Sequence, residues 1–276
     1  MGGESMDLEV ISRQPKGQAR ATPLLFVHGA YAGAWIWEPY FLPFFAKHGY
    51  EAHALSLRGH GESDGSDGLM SARLRDYAAD VEQVMATLPA PPIVVGHSMG
   101  GVVVQHVMHR HKDTLPGAVL MASGPPHGLA GSLFNMAFER PELLWQIMRV
   151  ELFGQLTAED SWVRRALFSE HTPDDVVRRS IPQLGRESLM VCLDLLGLDL
   201  LPSTRMLDMP VLVLGAERDP FIYQGALEQT AKTYGTMPEV FSGMAHAMMI
   251  DYDWEKAALR ILHWLEATLP ATRSAA

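Results

Sequence analysis

The sequence predicts an α/β fold with a mostly parallel central sheet, helices on both faces and an inserted helical cap. Three observations predict it. Short apolar runs alternate with helix-length amphipathic segments, the pattern of a parallel sheet wrapped by helices. Residues 91–101 read PPIVVGHSMGG, which is an apolar strand, a G-x-S-x-G turn and the start of a helix. Between Ser123 and about Arg205 the strand-like runs stop and helical segments take over.

Each element follows from its local pattern. Leu24-Leu25-Phe26-Val27 reads as a buried strand, and Phe41 to His48 as a helix. Glu51 to Leu55 reads as a second strand, followed by a helix from Ser71 to Leu88 with Ser71 as its N-cap. Ile93-Val94-Val95 leads into the G-x-S-x-G turn, and Val102 to Met108 continues as a mostly apolar helix. Ala118 to Met121 and Val211 to Leu214 are further strands, Gly225 to Tyr234 a helix, Glu239 to Phe241 a short strand, and Trp254 to Thr268 a closing helix.

The block 123–205 is an ~80-residue helical insertion, too long for a connecting loop. It is broken at Thr157, at Thr172-Pro173 and at Pro202. It carries Phe134, Met136, Phe138, Leu143, Leu144, Trp145, Met148, Phe153, Trp162 and Phe168. Most of these are expected to pack the cap itself, and a few to line a pocket. The segment around Leu195 and Leu196 is expected to face the site. The expected domains are therefore a core of residues 1–122 and 206–276, with residues 123–205 as a cap over the site.

Composition narrows the function classes. The chain has 276 residues, 47% hydrophobic and 20% charged, enough for a sizeable core. Its formal net charge of −10 and the absence of a basic stripe argue against nucleic acid and anionic membrane surfaces. No apolar run reaches the ~18 residues of a membrane span. The N-terminus lacks a secretory h-region, and Met6 breaks the myristoylation pattern that Gly2 would begin. Cys192 is the only cysteine, so no internal disulfide can form; a cytoplasmic, reducing location is expected. The oligomeric state is not legible.

The chemistry centres on Gly96-His97-Ser98-Met99-Gly100. A sharp strand-to-helix turn puts Ser98 at its tip, and glycines on either side let strand and helix pass closely. The helix N-terminus behind Ser98 offers free N–H groups to a developing oxyanion. A serine hydroxyl needs a base to accept its proton and a group to orient that base. In such a fold these follow in the order acid, then histidine, on loops at the ends of later strands. Asp219 follows the strand Val211–Leu214, and His246 follows Glu239–Phe241. Glu217 is the competing acid. After the Ala118–Met121 strand stand Ser123 and Gly124, with no carboxylate. The oxyanion hole is expected to use the N–H groups of Met99 and of Ala30, with Tyr31 as the alternative to Ala30.

Other residues invite bland readings. His28 and His97 lie beside turns and are expected to fix backbone packing. His106, His109 and His111 do not share one helical face, so no metal site is expected. Arg58 and Asp64 are expected to hold their loop, and Cys192 to act as a small buried hydrophobe.

Together, His28-Gly29-Ala30, Arg58-Gly59-His60-Gly61-Glu62-Ser63, Gly96-His97-Ser98-Met99-Gly100-Gly101, Asp219 and His246 make the chain resemble the α/β-hydrolase superfamily over residues ~20–268. The resemblance implies a Ser98–His246–Asp219 triad with an Ala30/Met99 oxyanion hole. The stretch His28 to Trp37 looks like the methylesterase and hydroxynitrile-lyase branch. The Arg58 loop and the elbow look like bacterial esterases and monoacylglycerol-type lipases. Dehalogenases and epoxide hydrolases of the superfamily carry Asp where this chain has Ser98. A hydroxynitrile lyase would want a lysine near the pocket, and residues 123–205 contain none.

The expected function is hydrolysis of a small to medium hydrophobic carboxylic ester, a serine esterase or lipase-like activity needing no cofactor and no metal. The alternatives are a lyase or C–C bond hydrolase, a perhydrolase, or a ligand receptor that reuses the pocket. The physiological substrate and acyl-chain preference are not legible.

Overall fold

A computed structural model describes residues 6–153, 161–199, 201 and 207–269. Gly2, Thr157, Pro202, the 205/206 boundary, the tail 270–276 and the Phe153 side chain lie outside what is described.

Among the described residues, seven strands form one sheet. They are β1 (Val10–Arg13), β2 (Leu24–Val27), β3 (Ala52–Leu55), β4 (Ile93–His97), β5 (Ala118–Met121), β6 (Val211–Ala216) and β7 (Pro238–Phe241), in the order β1-β3-β2-β4-β5-β6-β7. Only β1 runs antiparallel, against β3. The strands β2 to β6 are buried along their whole length, which is why they read as continuous apolar runs. The sequence pattern misses β1 because it is an edge strand, mostly exposed, with only Ile11 packed on the core. The chain crosses over β2 between β3 and β4. The sheet therefore reverses its winding between β2 and β4, and in open α/β sheets ligands bind beyond the carboxyl ends at such a point. The loop holding Ala30 leaves β2 there, and Ser98 leaves β4.

The core has two layers, one on each sheet face. Along β2, Leu24 and Phe26 belong to one cluster while Leu25 and Val27 belong to the other, the two-residue alternation of a strand covered on both sides. Helices α1 (Phe41–Lys47) and, from the far end of the chain, Trp254–Thr268 cover the first face with Phe41, Phe45, Ile261 and Leu262. Helices α2 (Leu74–Met85) and α3 (Met99–Arg110) cover the second with Tyr77, Val81, Val103 and Val107, joined by Leu227 of the helix Gln224–Thr233. Each fully buried Leu, Val or Phe contributes about 1.5–3 kcal/mol.

The helix expected from Ser71 begins later, at Leu74. Residues Ser66–Ser71 form a separate short turn of 3-10 helix, and the Ser71 hydroxyl donates to the Gly68 carbonyl at 2.9 Å. The first turn of α2 is satisfied from elsewhere. Asp76 accepts from the Arg73 N–H at 2.8 Å, and Asp194, far along the chain, accepts from the Leu74 N–H at 3.1 Å.

Between β5 and β6 the described residues hold α4 (Ala130–Glu139), α5 (Pro141–Phe153), α6 (Ser161–Leu167), α7 (Asp174–Ser180) and α8 (Leu189–Leu193), and no strand. The last two core helices are then α9 (Gln224–Thr233) and α10 (Trp254–Thr268). Met136, Leu143 and Ala166 make a small cluster with Leu144, Ile147, Trp162 and Phe221 around it. Phe134, Phe138, Trp145 and Met148 instead point to solvent. Leu195 is buried in the α2/α3 layer and Leu196 is exposed, and neither packs in the small cluster.

Candidate active site

Ser98 has φ 54° and ψ −119°, a left-handed backbone that costs a side-chain-bearing residue of order 1–3 kcal/mol. Its surroundings hold it there. The Ser98 N–H donates to the Met121 carbonyl at 3.0 Å, and its own carbonyl accepts from the Gly101 N–H at 3.0 Å. A Cβ on Gly96 would lie 2.5 Å from the Gly100 carbonyl oxygen, and one on Gly100 would lie 2.6 Å from that of Val27 and collide with that of His28. The two glycines thus let α3 press against both β4 and the loop that leaves β2.

On the neighbouring loops the structure brings Asp219 and His246 together. His246 Nδ1 lies 2.7 Å from Asp219 Oδ2, with both side chains almost fully buried. The other carboxylate oxygen accepts from the Phe221 and Ile222 N–H groups at 2.8 and 3.0 Å. A carboxylate oxygen here can only accept, so His246 Nδ1 is the donor in this bond and Nε2 is the ring nitrogen left to face other groups. His97, the residue before Ser98, reaches the same histidine: its Nε2 lies 2.9 Å from the His246 carbonyl, and the two rings are 4.7 Å apart. Phe221 packs on the His246 ring at 4.7 Å between centroids. The Ser98 hydroxyl makes no hydrogen bond to the His246 ring in this arrangement; such bonds are often long until a substrate is bound.

Met99 lies in the first turn of α3 and Ala30 in the loop after β2. Tyr31, the alternative donor, spends its N–H on Glu187 Oε2 at 3.3 Å, which leaves Ala30 as the better candidate. His246 pairs with Asp219 and not with Glu217, which accepts from the Ser242 hydroxyl and the Gly243 N–H, both at 2.7 Å.

His28 Nε2 accepts from the Leu57 N–H at 3.0 Å and its Nδ1 donates to the Gly29 carbonyl at 2.8 Å; burial, with His60 beside it, pushes its pKa down to about 3. Burial, reinforced by His246, holds His97 well below the ordinary histidine range. Both therefore stay neutral, His97 beside the His246 ring. His106, His109 and His111 diverge: His106 is buried, His109 packs on Tyr234 at 6.4 Å, and His111 reaches Glu82 at 3.1 Å. Arg58 pairs with Asp80, while Asp64 holds the loop through its carbonyl, which accepts from Gly59 at 2.8 Å. Cys192 is half-buried, more open than the buried hydrophobe expected of it, while its neighbour Val191 is fully enclosed.

Two buried carboxylates near the site escape the sequence reading. Asp251 accepts from the Ser169 hydroxyl at 2.5 Å, the Thr172 hydroxyl at 2.8 Å, and the N–H groups of Ala245 at 2.8 Å and Tyr252 at 2.6 Å. It thereby ties the His246 loop to the segment after α6. Glu187 is the second. A single Asp or Glu carries no sequence signal of the tertiary partners that bury it.

The alpha/beta hydrolase family profile matches residues 24–258. The chain belongs to the alpha/beta hydrolase family. It is similar to an uncharacterised abhydrolase domain-containing protein of Dictyostelium discoideum, 26% identical over 233 residues, covering 80% of this chain and 24% of that one. It is also similar to a non-heme chloroperoxidase of Streptomyces lividans, 35% identical over 116 residues, 40% of each chain. The chain thus spans well under half the length of these relatives. A thermophilic esterase from Thermogutta terrifontis superposes with a TM-score of 0.65 at 21% identity, over 95% of this chain and 94% of that one; at that identity the likeness concerns the fold.

Two outcomes are expected here. Asp251→Ala strands several buried donors, each costing about 1–3 kcal/mol, so urea unfolding should show a loss of about 3 kcal/mol; a loss under about 1 kcal/mol would contradict the tether. Gly100→Ala should lower stability by about 1–3 kcal/mol through overpacking, read as a fall in Tm, and an unchanged Tm would show that the elbow has room.

Proposed function

We propose that the protein is a serine hydrolase that cleaves small to medium hydrophobic carboxylic esters through an acyl-enzyme on Ser98. The observation that carries this reading is the His246–Asp219 pair at 2.7 Å, on a loop bonded to the residue beside the strained Ser98. In the proposed mechanism, His246 Nε2 takes the Ser98 proton as Oγ attacks the ester carbonyl. The Ala30 and Met99 N–H groups receive the oxyanion. His246 returns its proton to the leaving alcohol, and Asp219 holds the Nδ1–H tautomer and offsets the imidazolium charge. Water, deprotonated by His246, then attacks the acyl carbon, and Ser98 leaves with the returned proton.

Residues 123–205 act in this reading as a lid, and the apolar cluster of Met136, Leu143 and Ala166, which meets Phe221 over the His246 ring, favours an apolar ester. The fold shared with an esterase agrees with this class, and no residue of the proposed site requires a cofactor or metal for the steps above.

A panel of p-nitrophenyl esters from acetate to decanoate tests the reading. The wild type should turn over repeatedly, Ser98→Ala should lose on the order of a millionfold in kcat, and Asp219→Asn on the order of ten-thousandfold. Equal activity of wild type and Ser98→Ala would refute the nucleophile, and a single turnover without cycling would favour a receptor.

A further inference from the structure

The loop carrying Ala30 is gripped from the far side of the sequence. Tyr31 has φ 64°, a left-handed conformation that disfavours a tyrosine. Both of its peptide groups are engaged by one short segment after α7. The Gly185 N–H donates to the Tyr31 carbonyl at 2.7 Å, and the Tyr31 N–H donates to Glu187 Oε2 at 3.3 Å. Glu187 is itself 4% exposed. Its Oε1 accepts from the Tyr77 hydroxyl and the Ser188 N–H, both at 2.7 Å, and its Oε2 lies 3.3 Å from His60 Nε2.

A second route leads from the same carboxylate to the other side of Ala30. His60 packs on His28 with ring centroids 5.0 Å apart, and His28 donates to the Gly29 carbonyl at 2.8 Å. Gly29 and Tyr31, the two neighbours of Ala30, are thus both held by groups that converge on Glu187. The proposed mechanism gives Glu187 no chemical task, and a buried carboxylate is costly unless paired and hydrogen-bonded.

We infer that Glu187 is a positioning residue, a buried carboxylate that clamps Tyr31 and so fixes the Ala30 N–H for the oxyanion; this rests on the ester-hydrolase reading of the site. Fixing a donor before reaction, rather than binding substrate, should act on kcat and not on KM. The segment 185–188 also makes the hole depend on the helical region between β5 and β6, because Ser188 donates to the Ala72 carbonyl at 2.7 Å and locks that segment to the start of α2.

The test uses Glu187→Gln and Tyr77→Phe in the full chain. A glutamine side chain offers one acceptor oxygen where the carboxylate offers two; kept on the two short bonds from Tyr77 and Ser188, that oxygen leaves an NH2 facing the Tyr31 N–H, which breaks the clamp without loss of volume. With p-nitrophenyl butyrate, E187Q should lose about ten- to hundredfold in kcat, short of the full loss of an oxyanion donor, with KM within about threefold. Y77F should lose less, in the same direction, and serves if E187Q does not fold. Hydrogen exchange over residues 29–36 supplies a readout independent of activity: the Tyr31 amide should exchange at least about tenfold faster in either folded variant, with β4 and β5 unchanged. Unchanged exchange at Tyr31 overturns the clamp. So does a kcat within about twofold of wild type, or a rise in KM alone. Faster exchange in a protein whose wild type turns over no ester would leave the clamp standing and sink the ester-hydrolase reading instead.

Discussion

The structure depends on one close approach. Helix α3 presses on β4 and on the loop after β2, and Ser98 turns the chain between strand and helix with φ 54°. That approach exists because Gly96 and Gly100 have no Cβ to collide with the carbonyls beside them. Its consequences spread outward. The start of α3 meets the His28 carbonyl, the Ser98 N–H ties the turn to the end of β5, and His97 reaches the His246 loop. Strain at one residue is thereby held by three strands, and the same contacts gather the groups that could react.

Buried carboxylates then fasten the helices between β5 and β6 to this frame. Asp194 pairs with Arg73 and accepts from the Leu74 N–H; Asp251 gathers Ser169, Thr172 and the His246 loop; Glu187 gathers Tyr77, His60 and Tyr31. Around His60 two effects oppose: burial would lower its pKa, yet the Glu187 carboxylate holds it above the ordinary value. Burial would likewise raise the pKa of Glu187, and His60 with the Tyr77 and Ser188 donors keeps it low. An ion pair of this kind adds little net stability over an apolar packing but is costly to break. Its effect is to fix one geometry, in contrast to the exposed Phe134, Phe138 and Trp145 of α4 and α5.

Much of this is legible in the sequence, for identifiable reasons. Strands β2 to β6 are buried on both faces, so their apolar runs announce them. Ser98 and Asp219 follow such strands, His246 follows the short edge strand β7, and position after a strand end is a readable signal. Edge strand β1 has no such run, and α2 starts at Leu74 because Asp194, distant in sequence, satisfies its first turn. Glu187 and Asp251 are invisible for the same reason: their burial and partners are created by tertiary contacts. The facing of Leu195 is likewise set by tertiary packing, against the α2/α3 layer.

In the proposed mechanism the strained Ser98 is a nucleophile activated by His246. Labelling with a fluorophosphonate, followed by peptide mass mapping, tests it most directly. The expected result is one adduct, on the peptide containing Ser98, formed by the wild type and lost in His246→Ala while that variant remains folded. An adduct on another residue, or undiminished labelling of Ser98 without His246, would contradict it.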